Sequence, residues 1–456
     1  MQDVQIESEA DPRADPAGRT FVRALTAVVV LAALWRLGVL VVDKWHQPLL
    51  LNDSIYYSAQ AQQLADGIWF REIFVDRPGA EHGPLTSILL ASVSWVDDPV
   101  PWQRLLTVLC GIATVALIGL LGRRVGGERV GLIAASIAAV YPNLWMNDGL
   151  VMSESVSVLM VVSVLLAAIG LLDRPTIASA ALVGLLAGLA ALARSELALL
   201  TPAVVVLLAA AMWRATAAGG RAWRVFTVPA VVGVVSLATV APWVGFNLTR
   251  FEEAVTLTTN DGTTLLGSYC DATFSGPELG GWSIFCVTAD PAYSMDEEPS
   301  VRSVRQRDLA MRYARAHVDE LPKVVLARVA RTLDLYGLDS LVAQDVGEER
   351  WRWASWAGIV SWWALFPLAM TGAVLMWRSG RPGAAGTAVQ RRRWWVLVCP
   401  VVSVFVITVV FYGAHRIRSS MEPTVVVFAA VALAAAVERR ADRPQPGDLV
   451  RPAGPV

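Results

Sequence analysis

Five short polar clusters break the long apolar runs of this sequence, and their side chains suit group transfer to a hydroxyl. Asn52-Asp53-Ser54-Ile55-Tyr56-Tyr57 and His82-Gly83-Pro84-Leu85 bound one loop; Asp148 with Ser153-Glu154, Arg194-Ser195-Glu196, and His415-Arg416-Ile417-Arg418 follow. A carboxylate placed against an attacking hydroxyl can take its proton as the new bond forms. Asp53 is the candidate base, and Glu154 is a second carboxylate to orient the acceptor or to share a divalent cation with Asp53 and His82. Arginine forks hold phosphate oxygens by paired, charge-assisted hydrogen bonds and do not titrate away. Arg194, Arg416 and Arg418, with His415, are therefore candidates for holding a phosphate. Tyr56, Tyr57, His82 and Glu196 are candidates for contacts with the acceptor. Each residue also has a plainer role: Asp53 as a helix N-cap, Glu154 as a carboxylate stabilising a helix N-terminus, the Arg–Glu pairs as structural ion pairs, and His82 as a loop histidine.

The elements that must position these clusters are membrane spans. Of the 456 residues 55% are hydrophobic and only 17% charged, with a mean hydropathy of +0.51, a balance that excludes an ordinary soluble domain. Apolar runs at about 24–42, 101–121, 130–147, 151–172, 177–193, 197–213, 225–243, 353–377, 394–412 and 421–437 predict ten spans. The fold class is an all-α polytopic membrane protein with about ten transmembrane helices, a re-entrant or juxtamembrane first outer loop, and a small mixed extracytoplasmic domain. Its organisation reads as a disordered cytoplasmic tail (1–23), an N-terminal transmembrane module (24–243) with its first outer loop at 44–100, the extracytoplasmic domain (244–352), C-terminal transmembrane helices (353–437) and a cytoplasmic tail (438–456).

Arginine placement orients the spans. Arg123, Arg124, Arg129, Arg174, Arg214, Arg221, Arg224, Arg378, Arg381 and Arg391-Arg392-Arg393 fall in alternate loops, and Arg439, Arg440 and Arg443 follow the last span. Both termini are then cytoplasmic, and all five polar clusters lie on the outer side. The count requires that Leu85–Val96, about 18 Å as a helix, re-enters rather than crosses. Arg36, inside the first span, must face protein or a lipid head group. In the outer domain, Ala254–Gly262 is strand-like and turn-rich, and Val301–Tyr336 is helical. Cys110 and Cys399 read as small buried residues within spans. The oxidising outer compartment permits a Cys270–Cys286 disulfide, with two free thiols or a metal pair as the alternatives.

The formal net charge of −1 gives no basic footprint for nucleic acid. The chain has no phosphate-binding loop, no Gly-rich dinucleotide fingerprint and no Gly-x-Ser-x-Gly elbow. A transporter or lipid flippase, the competing class, places ionisable groups at span centres in related halves. Here only Arg36 does so, and no matching halves are visible. A receptor or assembly protein using the 244–352 domain leaves the clusters without a task.

The order of these motifs resembles the GT-C superfamily: Asp53-x-x-Tyr56-Tyr57, His82-Gly-Pro-Leu, Glu154, Arg194-x-Glu196, Pro242-Trp243-x-x-x-Asn247, and Arg416-x-Arg418-x-x-x-Glu422-Pro423. Within it the chain is similar to the family 39-like polytopic glycosyltransferases, the group of the protein mannosyltransferases and aminoarabinose transferases. Thr259-Asn260-Asp261-Gly262-Thr263-Thr264-Leu265, Cys270-Asp271, Gly281-Trp282 and Cys286 resemble the actinobacterial branch. The pattern departs from the family at Ser54, where an acidic residue is usual, at Phe246, where arginine is usual, and at His82-Gly83, where many members carry two prolines. The resemblance implies an inverting enzyme of the bacterial plasma membrane and cell envelope. It would move a sugar from a polyprenyl-phosphate donor to a hydroxyl of a glycan, lipid or protein acceptor on the outer side, with membrane lipids as its surroundings. No cofactor follows with certainty; a divalent cation is the one candidate.

Single-cysteine labelling tests the sidedness. A membrane-impermeant reagent added outside is expected to label cysteines placed beside Asp53 and Arg194, and to label cysteines at Arg221 and Arg392 only after permeabilisation. Outside labelling at Arg392 would contradict the arrangement.

Overall fold

The computed structural model describes residues 16–50, 53–217, 224–294, 296–380 and 387–441. Asn52, Arg221, Arg381 and Arg443 lie outside the described residues, as do 1–15 and 442–456 of the expected tails. Among the described residues the regular elements are helices, and the one strand-type pairing is an isolated bridge between Arg71 and Pro78. The first helix, α1, is Pro16–Val39, so it begins within the stretch expected to be a tail. The following loop carries α2 (Asp53–Ala65) and α3 (Pro84–Ala91). Then come α4 (Val100–Gly126), α5 (Glu128–Val140), α6 (Glu154–Asp173), α7 (Ile177–Ala193), α8 (Leu200–Ala217) and α9 (Arg224–Leu248).

Eight of the described helical stretches are long and apolar enough to cross a membrane. The other two expected spans also form helices, but short ones: α5 has 13 residues and α7 has 17. Pro142 shortens α5, because its ring and missing N–H cannot continue a helix; residues 142–153 instead fold into turns that carry Asn143, Asn147 and Asp148. Helix α3, with eight residues, covers about 12 Å and cannot cross. Helix α7 packs closely on α9, since Gly184 faces the Val232 carbonyl and Gly188 faces Thr239 with no room for a Cβ. Small residues of this kind let apolar helices approach where lipid gives no hydrophobic drive.

The two ends of the bundle differ in chemistry. At one end Arg124 and Arg393 both reach Asp173, at 3.5 and 2.9 Å, and Arg129 reaches Glu438 at 3.2 Å. At the other end Asp53, His82, Arg194 and Arg416 come together. Arg36 faces protein: its Nε is 2.7 Å from Asp148 Oδ2, and it donates to the carbonyls of Ala139 (3.0 Å) and Ala138 (3.2 Å). Both side chains are buried. Losing either partner would leave a buried charge uncompensated, at a cost of about 3–5 kcal/mol.

Residues 249–351 form a helical segment rather than a mixed one. It comprises α10 (Asp261–Ser268), α11 (Pro299–Ala316), α12 (Leu321–Thr332) and α13 (Leu338–Gly347), with short turns between them. The strand-like stretch before α10 has no partner strand. Its backbone is satisfied elsewhere: Thr259 N–H donates to Ala80 O (2.8 Å), and the carbonyls of Leu257 and Thr256 accept from the Trp243 indole (2.7 Å) and the Asn247 amide (3.1 Å). Cys270 and Cys286 are bridged, while Cys110 and Cys399 are free thiols. Helices α14 (Arg352–Ser379), α15 (Thr387–Val410) and α16 (Glu422–Ala441) complete the chain. Helix α13 packs on α14, and α12 on α15.

Candidate active site

Arg416 ties the site together. It projects from the turn His415–Arg418, and its guanidinium meets carboxylates from three distant parts of the chain. Its Nη2 is 2.7 Å from Asp53 Oδ2, its Nη1 is 2.9 Å from Glu348 Oε1, and its Nε is 3.2 Å from Glu154 Oε1. Asp53 is the first residue of α2 and keeps about a quarter of its side chain exposed, 26%. Glu154 opens α6 and is fully buried. Arg194 sits in extended backbone between α7 and the turn Ser195–Leu199, where it reaches Glu154 Oε1 at 2.8 Å and Glu196 Oε1 at 2.5 Å.

His82 stands beside this pair. Its Nε2 is 3.6 Å from Asp53 Oδ1, beyond hydrogen-bond distance, and its ring stacks on Tyr57 with centroids 4.9 Å apart. Burial works to raise the Asp53 pKa, but the charges of Arg416 and His82 outweigh it and hold the carboxyl well below the usual range. For His82 burial works the other way, and Asp53 overrides it to raise the imidazole pKa. The two groups thus favour each other's charged forms.

A cavity of about 450 Å³ opens at this end of the bundle. Its lining includes Asp53, Tyr57, His82, Arg194, Glu196 and Arg416, together with apolar Val406, Ile407, Val410 and Phe411 from α15 and the link after it. A polar edge comes from Glu81, Thr258, Asn260, Asp261 and Thr264. Asn260 precedes α10, yet its side chain makes no capping bond to the helix; Ser303 Oγ accepts from Gly262 N–H instead (3.1 Å).

The expected residues divide accordingly. Asp53, Tyr57, His82, Arg194, Glu196 and Arg416 line the cavity. Tyr56 is buried beneath it, with its hydroxyl accepting from Glu81 N–H at 3.2 Å. Glu154 lies behind the arginines, where it compensates them. His415 and Arg418 belong to a separate buried network. His415 Nδ1 and Nε2 each lie 2.7 Å from Asp345 Oδ2 and Asp334 Oδ1. Arg418 pairs at 2.7 Å with both Asp334 and Glu422 and stacks on the Trp362 ring at 4.1 Å. Neither lines the cavity, whereas Arg194 and Arg416 do.

The arrangement does not fit a cation held by Asp53, Glu154 and His82. Arginines already occupy Asp53 Oδ2 and Glu154 Oε1, and no three His, Cys, Asp or Glu side chains gather as ligands among the described residues.

Sequence reasoning missed Glu348, Glu349 and Arg350. Glu348 pairs with Arg416 and Arg350. Glu349 Oε2 is 2.8 Å from Arg104 Nη2, and its Oε1 accepts from Ser54 Oγ at 2.8 Å and from Leu50 N–H at 3.1 Å. Glu349 thereby anchors the residue next to Asp53. The available signal was the run Glu348-Glu349-Arg350 immediately before the Trp-rich start of α14.

Residues 81–246 match the family described as dolichyl-phosphate-mannose-protein mannosyltransferase. No match was found among curated proteins. Among solved structures, the apo oligosaccharyltransferase of Archaeoglobus fulgidus aligns with a TM-score of 0.56 at 14% identity, over 92% of this chain and 51% of that one. The archaeal oligosaccharyltransferase AglB of the same organism, in complex with an inhibitory peptide and a dolichol-phosphate, gives 0.52 at 15% identity over 97% and 53%. ArnT from Cupriavidus metallidurans, bound to undecaprenyl phosphate, gives 0.43 at 14% identity over 96% and 82%. The chain spans about half the length of the archaeal proteins it matches and shares their fold.

The pairing of Asp53 with Arg416 has a measurable pH signature. A carboxyl whose folded pKa is depressed stabilises the protein fully above its unfolded value, near 3.9, and loses that contribution as pH falls through the folded value. Arg416→Met should therefore be less stable than the parent by about 3 kcal/mol at neutral pH, and the difference should narrow below about pH 4. Thermal unfolding of both proteins in detergent across pH reads this out. A difference that stayed constant down to the lowest accessible pH would contradict the pairing.

Proposed function

We propose that this chain is an inverting membrane glycosyltransferase that moves a sugar from a polyprenyl-phosphate donor to an acceptor hydroxyl. One observation carries the reading: a single cavity holds a carboxylate, two arginines and an apolar wall. A polyprenyl-phosphate sugar has matching parts, with an apolar chain for Val406–Phe411, an anionic phosphate for Arg194 and Arg416, and a sugar directed at Asp53 and Asn260. The family match over residues 81–246 and the shared fold support the same class.

Asp53 receives the proton of the acceptor hydroxyl as its oxygen attacks the anomeric carbon from the face opposite the phosphate. The bond from that carbon to the phosphate oxygen breaks, its electrons leave with the phosphate, and the configuration inverts. The departing polyprenyl phosphate carries one more negative charge than it did as a diester, and preorganised arginine donors stabilise that gain as it develops. Tyr57 and His82 border the acceptor side. Asn260, whose side chain caps nothing, offers both a donor and an acceptor to a sugar hydroxyl. Glu154 acts through Arg194 and Arg416, holding both forks in place. The acceptor is a glycan, lipid or protein of the cell envelope. The arginine asymmetry supports a site on the outer face of the bacterial plasma membrane, with both termini inside.

Asp53→Asn separates this role from a merely structural one. Asparagine still starts a helix well but cannot take the proton. The expected result is a folded, membrane-inserted protein whose transfer rate falls at least about a hundredfold while donor binding persists. Near-normal turnover would remove Asp53 from the mechanism.

A further inference from the structure

Both arginines that line the cavity are paired with carboxylates. Arg416 contacts Asp53, Glu348 and Glu154 through its three nitrogens, and Arg194 contacts Glu154 and Glu196. A phosphate bridging both arginines can meet Arg194 Nη2 directly, but it finds each Arg416 nitrogen already against a carboxylate, so a two-point grip on Arg416 needs one carboxylate to give way. Burial and anchoring decide which. Glu154 is fully buried and shared between both arginines. Glu348 is also held by Arg350, which in turn donates to Asn147 Oδ1 at 2.9 Å. Asp53 is the most exposed of Arg416's three partners, and it lines the cavity, as Glu154 and Glu348 do not.

We infer that the donor phosphate takes Arg416 Nη2 from Asp53 and that this exchange releases the Asp53 carboxylate toward the acceptor. The inference rests on the glycosyltransferase reading and adds the order of events. While Arg416 is bound to Asp53, the carboxylate is a poor base, because its charge is already neutralised. Donor binding removes that partner, so the base becomes competent only when there is a sugar to transfer. Water in an empty site meets a locked carboxylate. After transfer, the phosphate monoester leaves and Asp53 returns to Arg416.

Displacement makes a prediction of unusual sign. Two anions competing for one guanidinium are coupled, and removing one strengthens binding of the other. The probe is undecaprenyl phosphate, titrated into the full-length protein in detergent and followed by thermal shift and native mass spectrometry. Asp53→Asn is expected to bind it about five- to tenfold more tightly than the parent, even though transfer is lost. Glu81→Gln is the control, since Glu81 also lines the cavity but forms no ion pair among the described residues. It should change affinity less than about twofold. Equal or weaker binding by Asp53→Asn would overturn the exchange, and so would equal tightening by Glu81→Gln, which would point to a general field. A parent protein that fails to bind undecaprenyl phosphate at all would instead refute the donor reading on which the inference rests.

Discussion

A guanidinium placed beside apolar helix ends has to be compensated where it sits, because its charge cannot be removed by titration. Arg416 meets that requirement with Asp53 from α2, Glu154 from α6 and Glu348 from the segment after α13. These three positions are far apart in sequence, so satisfying one cation fixes the first loop, the N-terminal half of the bundle and the segment 249–351 relative to one another. Arg194 joins through the same Glu154 oxygen. The cavity lies where these elements fail to close completely, and its apolar wall comes from the end of α15.

Consecutive residues serve opposite sides of this arrangement at the junction before α14. Glu348 turns to Arg416, while Glu349 turns to Arg104 and Ser54. The backbone permits this because Glu349 adopts φ +67°, a conformation that costs a non-glycine residue about 1–3 kcal/mol. That cost is offset by three charge-assisted contacts on a buried carboxylate. Below the site, His415 between two aspartates and Arg418 between Asp334 and Glu422 form a rigid base. Of the three charged residues of the motif, Arg416 is the one that lines the cavity.

The spans, the short α3 and the Cys270–Cys286 bridge were legible in the sequence, because apolar length and cysteine placement are local signals. Asp53 and Arg194 were legible because each interrupts an apolar run with a group that lipid would reject. The distinct tasks of Arg416 and Arg418 were not. They sit two residues apart, and only the helical turn at 415–418, rotating about 200° over two residues, sends one to the cavity and the other into the core. Glu348 and Glu349 were illegible for a similar reason, since their partners Arg416, Arg104 and Ser54 are long-range. The strand-like 254–262 stretch pairs with no strand among the described residues, because side chains of Trp243 and Asn247, from the end of α9, take its carbonyls instead.

The proposed transfer depends on the phosphate of a polyprenyl lipid lying against Arg416 and Arg194. A cryo-electron microscopy structure of the full-length protein with undecaprenyl phosphate measures this directly. The predicted result is phosphate density within hydrogen-bond distance of both guanidinium groups, lipid density along Val406–Phe411, and Asp53 turned away from Arg416. Phosphate density elsewhere, with Asp53 still paired to Arg416, would contradict it.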